Sequence, residues 1–186
     1  VSVTVCDVGV QAVITDMSLM GSGNPALDVG TVLGNAMARK MDEDLIALFD
    51  GFSTSIGAST TELTAAYLFQ AAATLKANKV NERLVAVLHP YQTYALKSNL
   101  TNTFANPNGG DLQNEAMRSG YVGTIAGIDI FESANITVDG SGDAKGLVFG
   151  TSALAMAMKK DFVIETQCDE SLRATELNAT AFYGVA

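Results

Sequence analysis

The stretch LGNAMARKMDEDLIALFDG, residues 33–51, has the apolar spacing of a long amphipathic helix. Apolar side chains recur every three or four residues, and the pattern extends back to Val29. Pro25 precedes this pattern and suits the first turn of a helix. Asp50-Gly51 supplies a stop signal. An unbroken helix from Pro25 to Phe49 would be about 37 Å long at about 1.5 Å per residue. That length is unusual for a chain of 186 residues.

Two glycines lie one turn apart inside this predicted helix, at positions 30 and 34. Each should cost about 1 kcal/mol relative to alanine in a helix interior. We interpret Gly30 and Gly34 as a face on which another element packs closely. A leucine at either position is therefore expected to weaken folding or assembly, because it would push that element away.

Both ends of the chain alternate between apolar and polar residues. Val1, Val3 and Val5 alternate with Ser2 and Thr4, which predicts a half-buried strand over residues 1–6. Near the other end, strands are predicted at Phe162–Glu165 and at 177–183, with a turn at Asp169–Ser171 between them. Strands are therefore expected at both ends of the chain.

The middle of the chain begins with a helix and a strand. Ser59–Glu62 has the spacing of a capping box and predicts a helix that ends near Asn78. Leu84–Leu88 is a short unbroken apolar run, which is typical of a strand buried on both faces. His89-Pro90 then predicts the start of a helix that continues through Lys97.

A long polar loop is predicted next, from Thr101 to Asp111. Ile128 and Ile130 alternate with Asp129 and predict a strand, and strands are also predicted at 136–138 and 147–149 around an Asp- and Gly-rich turn. Helices and strands are thus intermixed without a regular strand–helix–strand repeat. The predicted class is α+β.

Composition limits the possible functions. Hydrophobic residues make up 48% of the chain and charged residues 17%, which suits a protein that buries much of its exterior in partners, although an ordinary alanine-rich domain has a similar composition. The formal net charge of -9 has the wrong sign for a protein that grips phosphates. Cys6 and Cys168 are far apart in sequence, so neither a disulfide framework nor a zinc site is indicated.

The residues that most often carry chemistry favour structural interpretations here. His89 is the single histidine, and its place directly before Pro90 favours helix capping. Neighbouring carboxylates in Asp42–Asp44 fall on different helical faces, so they predict a solvated face or a contact between subunits. Asp139–Asp143 starts like a calcium loop but lacks the closing glutamate, and we interpret it as a hairpin turn.

The remaining candidates are glycines and methionines. Gly120, Gly123 and Gly127 match neither the dinucleotide nor the Walker spacing, so turns and close backbone approach explain them better. The methionines expected to fill the core are Met37, Met41, Met156 and Met158. No catalytic, cofactor-binding or metal-binding residue is predicted.

Four segments, in order, resemble one protein family. The helix at 33–51 resembles its long spine helix, and LVAVLHPYQTYALKS, residues 84–98, its strand-to-helix step. GYVGTIAGIDIFESANI, residues 120–136, is similar to its next strands, and residues 146–186, from GLVFGTSALAMAMKK to the end, to its return to a peripheral sheet. These segments resemble the major capsid proteins of tailed double-stranded DNA phages, whose fold is named after phage Hong Kong 97.

The resemblance implies a Hong Kong 97-like fold in three stretches: a peripheral lobe with the spine helix at 1–51, an axial lobe at 52–155, and a return to the peripheral sheet at 156–186. It also implies a structural virion protein that carries no active site and self-assembles through pentamers and hexamers into an icosahedral shell enclosing double-stranded DNA. Portal and scaffolding or decoration proteins are the other expected partners, with assembly in the host cytoplasm. The residues singled out as structural or assembly positions are Pro25, Gly30, Gly34, Gly51, His89, Pro90, Gly120, Gly123 and Gly127.

One departure and two alternatives accompany this interpretation. Family members are generally longer, with an amino-terminal arm and an extended loop, so the chain is expected to be an incomplete subunit. An encapsulin-type nanocompartment shell shares the fold and encloses cargo enzymes. A small acidic enzyme is the alternative of another class, and it would need two carboxylates that converge in an apolar pocket.

Overall fold

The structure, a computed structural model, describes residues 2–21, 25–104 and 123–186. The chain divides into two compact units: a first unit, Val1–Ala47 with Leu154–Ala186, and a second unit, Leu48–Ala153. The strands are β1 (Cys6–Thr15), β2 (Leu84–Leu88), β3 (Thr124–Ile125), β4 (Ile128–Glu132), β5 (Leu147–Gly150), β6 (Met156–Asp169) and β7 (Ala174–Val185). The helices are α1 (Asp16–Gly21), α2 (Pro25–Ala47), α3 (Ala65–Ala77) and α4 (Pro90–Phe104), with a 3-10 turn at Leu48–Gly51.

The first unit is an antiparallel sheet covered by the long helix α2. Its strand order is β1-β7-β6, and β1 pairs with β7 from Cys6 opposite Tyr183 to Thr15 opposite Ala174. Leu33 and Met37 of α2 are buried against the inward side chains of the sheet. The apolar residues of α2, three or four positions apart, therefore pack against the inward residues of β7, two positions apart, as the amphipathic pattern predicted.

Two strands of this sheet differ from the prediction. The first strand begins at Cys6 and runs to Thr15, so the prediction of a strand over residues 1–6 was wrong. The alternation continues past Cys6, and its buried end at Ile14 packs against Leu33. The strand β6 has 14 residues where four were predicted, because register shifts between Met158 and Val163 interrupt the alternation on which the prediction depended.

The second unit is a four-stranded sheet with order β3-β4-β2-β5. β2 pairs in parallel with β4 and antiparallel with β5. One face packs on α3 and α4 through a core that contains Leu68, Leu96 and Ile128. The residues of β2 are alternately buried and half-buried, so the prediction of a strand buried on both faces holds for one face only.

Three local predictions in this unit were wrong. Helix α3 starts after Thr64, because Ser59 and Thr60 bond to the carboxylate of Asp143 and do not cap a helix. Helix α4 extends to Phe104, into the start of the predicted loop, and the rest of that loop lies outside the described residues. Residues 136–138 form no strand; Val138 makes an isolated bridge to Ala144, and β5 pairs with β2 instead.

The mixture of helices and sheets confirms the α+β class. The prediction that four methionines fill the core has different outcomes in α2 and in β6. Met37 is buried and Met41 half-buried on α2, as expected of core residues. Met156 and Met158 are 39% and 45% exposed, so the prediction that they fill the core was wrong. They lie in the edge strand β6, where most residues are exposed and Phe162 packs against the core.

Candidate assembly surfaces

The glycines of α2 pack against no other element in the described part of the chain. A Cβ added at Gly30 or at Gly34 would meet no described atom within 4 Å. The same holds for Gly51, which ends the 3-10 turn. The predicted close-packing face of α2 therefore has no partner within the described part of the chain.

The glycines near β3 serve turns. Ala126 and Gly127 both have positive φ, at 56° and 76°, and form the tight connection between β3 and β4. Gly123 also has a positive φ of 50°. A Cβ at Gly127 would meet nothing within 4 Å, so the turn explains this glycine and close approach does not. Gly120 lies outside the described residues.

His89 and Pro90 begin α4. The His89 Nδ1 accepts a hydrogen bond from the Tyr91 backbone N–H at 3.2 Å, and the Gln92 side-chain oxygen accepts one from the His89 N–H at 3.1 Å. This reciprocal pair satisfies two backbone donors at a helix start, as a capping box does. His89 is buried and Pro90 is the first helical residue.

Two of the three residues in the acidic run Asp42–Asp44 of α2 form ion pairs. Glu43 pairs with Arg39 at 2.7 Å and Asp44 with Lys40 at 2.6 Å, each one helical turn away. Asp44 also accepts a hydrogen bond from the Tyr183 hydroxyl at 2.7 Å. Burial raises the pKa of Asp44, but the hydrogen bonds from Lys40 and Tyr183 outweigh it and hold the pKa below its ordinary value.

An open pocket of about 400 Å³ in the second unit bears on the enzyme alternative. Two ionisable side chains line it, Lys79 and Glu82. Glu82 accepts hydrogen bonds from the hydroxyl and backbone N–H of Ser152, which lower its pKa. A general acid needs the opposite shift, because it must hold its proton near neutral pH. Glu82 is also the single carboxylate among the described residues that line the pocket, so no converging pair of carboxylates is present among them.

Over residues 2–21, 25–104 and 123–186, no three His, Cys, Asp or Glu side chains are grouped so that they could hold a metal ion. In the same part of the chain, no helix combines the length and apolar character that crossing a bilayer requires.

Two groups stand out among the exposed apolar side chains of the first unit, which also include Val13 and Val32. The edge strand β6 exposes more than a third of each of Met156, Met158, Val163 and Ile164. A second group, which we name the apolar cap, comprises Met17 and Met20 of α1, Leu27 of α2 and Leu172 of the β6–β7 turn. Large exposed apolar groups are typical of surfaces that bind other proteins. The sequence prediction missed both groups.

Solved structures from phages share this fold. A structure from Mycobacterium phage Che8 matches with a TM-score of 0.76 and 21% identity over 97% of this chain and 66% of that chain. The capsid of the cyanophage P-SCSP1u matches with a TM-score of 0.74 and 19% identity over 99% of this chain and 69% of that chain. This chain thus spans about two thirds of the length of the solved chains.

An encapsulin structure also matches. The holo-SrpI encapsulin complex from Synechococcus elongatus PCC 7942 has a TM-score of 0.69 and 12% identity over 98% of this chain and 69% of that chain. No curated protein matches in sequence. The family model described as phage capsid protein matches residues 7–185. The chain therefore belongs to the phage capsid protein family and has its Hong Kong 97-like fold.

Proposed function

We propose that this chain is a major capsid subunit that assembles through pentamers and hexamers into an icosahedral shell around double-stranded DNA. The observation that carries the proposal is the family match over residues 7–185. The exposed apolar side chains of β6 and of the apolar cap support it, because a shell subunit must bury surface in neighbouring copies. The function is then located in interfaces between subunits, and catalysis has no part in it.

The two units correspond to two roles in this proposal. The first unit serves as the peripheral lobe, with α2 as its spine helix, and the second unit as the axial lobe. The division of the chain at Ala47/Leu48 and at Ala153/Leu154 supports this assignment, because both points lie within a few residues of the boundaries expected from the sequence. The assignment predicts that variants of the two units affect different contacts in the shell.

The proposed partners follow from the shell. The chain binds copies of itself, and portal and scaffolding or decoration proteins complete the particle. Its net charge of -9 supports enclosure of DNA without sequence-specific binding. Its proposed place is the virion capsid, reached after assembly in the host cytoplasm.

The alternative shell is an encapsulin, and the match to the SrpI complex is the observation that favours it. Both shells have the same fold, so they differ in contents. Particles isolated from the native source separate the two, because a capsid contains nuclease-protected double-stranded DNA and an encapsulin contains cargo protein.

Electron microscopy combined with light scattering tests self-assembly directly. Purified chain is examined over a range of salt and protein concentrations, and rings or closed shells are expected. A monodisperse monomer under all those conditions contradicts the proposal. Loss of particles in a variant that remains folded would locate an assembly contact.

A further inference from the structure

The apolar cap lies at one end of the first unit. The Asp16 backbone N–H, at the start of α1, donates to the Arg173 carbonyl in the β6–β7 turn at 2.9 Å. Leu19 of α1 and Val29 in the first turns of α2 pack against one buried cluster, which contains Ile14. Helix α1, the start of α2 and the β6–β7 turn therefore meet at the same end of the sheet.

The cap side chains point to solvent to an unusual degree. Met17 is 86% exposed and Met20 90%, while Leu19 between them is half-buried. Leu27 is 66% exposed and Leu172 62%. Helix α1 thus packs one apolar side chain, Leu19, against the core and exposes two methionines, Met17 and Met20. Methionine is flexible and polarisable, so it suits a surface that adapts to a bound segment.

The turn that carries Leu172 is held firmly. The Asp169 carboxylate accepts hydrogen bonds from the Ser171 hydroxyl at 2.6 Å and from the backbone N–H groups of Ser171 and Leu172 at 2.9 and 3.2 Å. Arg173 then adopts a φ of 48°, which is uncommon for a side chain other than glycine. The exposed leucine is therefore presented by an ordered turn, and its position is compatible with a binding role.

Charges around the cap are mainly negative. Asp16 at the start of α1, Asp28 in the first turn of α2 and Glu170 in the β6–β7 turn are exposed. None of the three has an ion pair among the described residues. Arg173 supplies the one positive charge in these three segments. These three segments therefore combine exposed apolar side chains with mostly acidic ones, which complements a segment that combines apolar and basic side chains.

We propose that the apolar cap binds a basic amphipathic helix of a partner protein, with apolar residues on one face and lysine or arginine beside them. This deepens the proposed function by naming the chemistry of a non-identical partner, and it rests on that function. Cap-to-cap contact between two copies is disfavoured, because it would bring carboxylates together. The basic pair on α2, Arg39 and Lys40, does not fit the cap either, because both are paired with neighbouring carboxylates.

The test measures binding of a synthetic helical peptide, with leucines on one face and lysines on the other, to the full chain by fluorescence anisotropy. We expect binding that weakens as salt rises, since the contacts with the acidic side chains are ionic. The double variant Met17→Ser/Met20→Ser should raise the Kd by about tenfold or more, as expected for loss of central apolar contacts. The variant Asp16→Asn/Asp28→Asn should weaken binding and flatten its salt dependence.

Two controls make the result specific. Met156→Ser/Met158→Ser removes exposed methionines from β6 of the same unit and should leave the Kd unchanged. A peptide with glutamate in place of lysine should bind much more weakly than the basic one. Equal binding of the two peptides, unchanged affinity of the cap variants, or no binding by folded chain would overturn the proposal.

Self-association provides a separate readout. If the cap variants lose shells or oligomers and peptide binding is absent, the cap is a contact between copies and the proposal is wrong. If wild-type chain forms no shells yet binds the basic peptide through the cap, the proposed function fails and the cap assignment stands. Binding of the cap to phosphatidylcholine vesicles in place of the peptide would also overturn it.

Discussion

The hydroxyl of Tyr183 in β7 donates a 2.7 Å hydrogen bond to Asp44 of α2 and ties the long helix to the last strand. Tyr183 is almost fully buried, and Asp44 is also paired with Lys40. A hydrogen bond to a charged group contributes about 1.5–3 kcal/mol, so it is a substantial part of the stability of a single unit.

Removing the Tyr183 hydroxyl tests how much this hydrogen bond contributes to stability. Tyr183→Phe keeps the ring in the core and leaves the Asp44 carboxylate with one fewer donor, so the free energy of unfolding should fall by about 1.5–3 kcal/mol. Denaturant unfolding measures the change. Tyr94→Phe is the control, because Tyr94 is 74% exposed, and it should have no effect. Equal stability of the two variants would show that the hydrogen bond contributes nothing.

The same pair predicts acid sensitivity. The pKa of Asp44 is lowered below its ordinary value of 3.8. A lowered folded-state pKa means stabilisation that is fully present above the unfolded pKa and is lost as pH falls through the folded pKa. Unfolding free energy should therefore decrease as pH drops below about 4. Asp44→Asn should be less stable near neutral pH and show a shallower decrease. A slope identical to that of the wild type would contradict this assignment.

At alkaline pH the dependence of stability on pH is reversed, because Tyr183 stabilises the folded chain less as pH rises. Burial, followed by the hydrogen bond to Asp44, raises the pKa of Tyr183 from 10.0 to about 12. Its contribution is present below pH 10 and is lost as pH rises through about 12. In an ultraviolet titration, one of the five tyrosines should ionise late, and Tyr183→Phe should remove that step. A late step that persists in the variant would assign it to another tyrosine.

The long helix and the α+β class could be predicted because they depend on local spacing. Leu33 and Met37 recur one turn apart and are both buried. The start of α3 could not be predicted, because it depends on Asp143, which lies more than 80 residues from Ser59 and takes over the hydroxyl that the pattern assigned to a cap. The local tendency of a residue to cap a helix is overridden when a distant carboxylate is a stronger hydrogen-bond acceptor for its side chain.

The assembly surfaces were harder to predict for a different reason. Apolar residues make up a large share of the surface of any protein, so the sequence TDMSLMG does not show that Met17 and Met20 face solvent and Leu19 the core. The edge position of β6 depends on strand order, which is a property of the whole sheet. Residues three positions apart lie on one face of a helix. The spacing of Met17 and Met20 is therefore the sequence signal that would have placed them together.

The hydrogen bonds of His89 at the start of α4 support a further prediction. His89→Ala removes the Nδ1 acceptor of the Tyr91 N–H and should lower the free energy of unfolding by about 1 kcal/mol. His89→Asn also places a good capping acceptor at this position and should recover most of the loss. Thermal or denaturant unfolding measures both. If alanine and asparagine destabilise equally, His89 acts through packing and not through capping.

Weak contact with DNA is also predicted. A chain with a net charge of -9 gains little from counterion release, so subunits before assembly should not bind duplex DNA tightly at physiological salt. The adjacent lysines Lys159 and Lys160 are the candidate exception, although Lys160 pairs with Glu165. Fluorescence anisotropy with a labelled duplex checks this. A sub-micromolar, salt-dependent affinity that is lost in Lys159→Ala/Lys160→Ala would contradict the prediction and reveal a local basic patch.

The last prediction contrasts glycines in the two kinds of element. A Cβ at Gly184 of β7 would overlap the backbone carbonyl of Thr4, which cannot yield without moving the chain, so Gly184→Ala should lower the free energy of unfolding by about 1–3 kcal/mol. Gly30→Ala meets no described atom within 4 Å and removes a helix-breaking glycine, so it should raise stability by up to about 1 kcal/mol. Gly30→Leu then separates folding from assembly. Unchanged stability with a lower particle yield would place another subunit against this face of α2, whereas a loss of stability in the isolated chain would contradict the open geometry at Gly30.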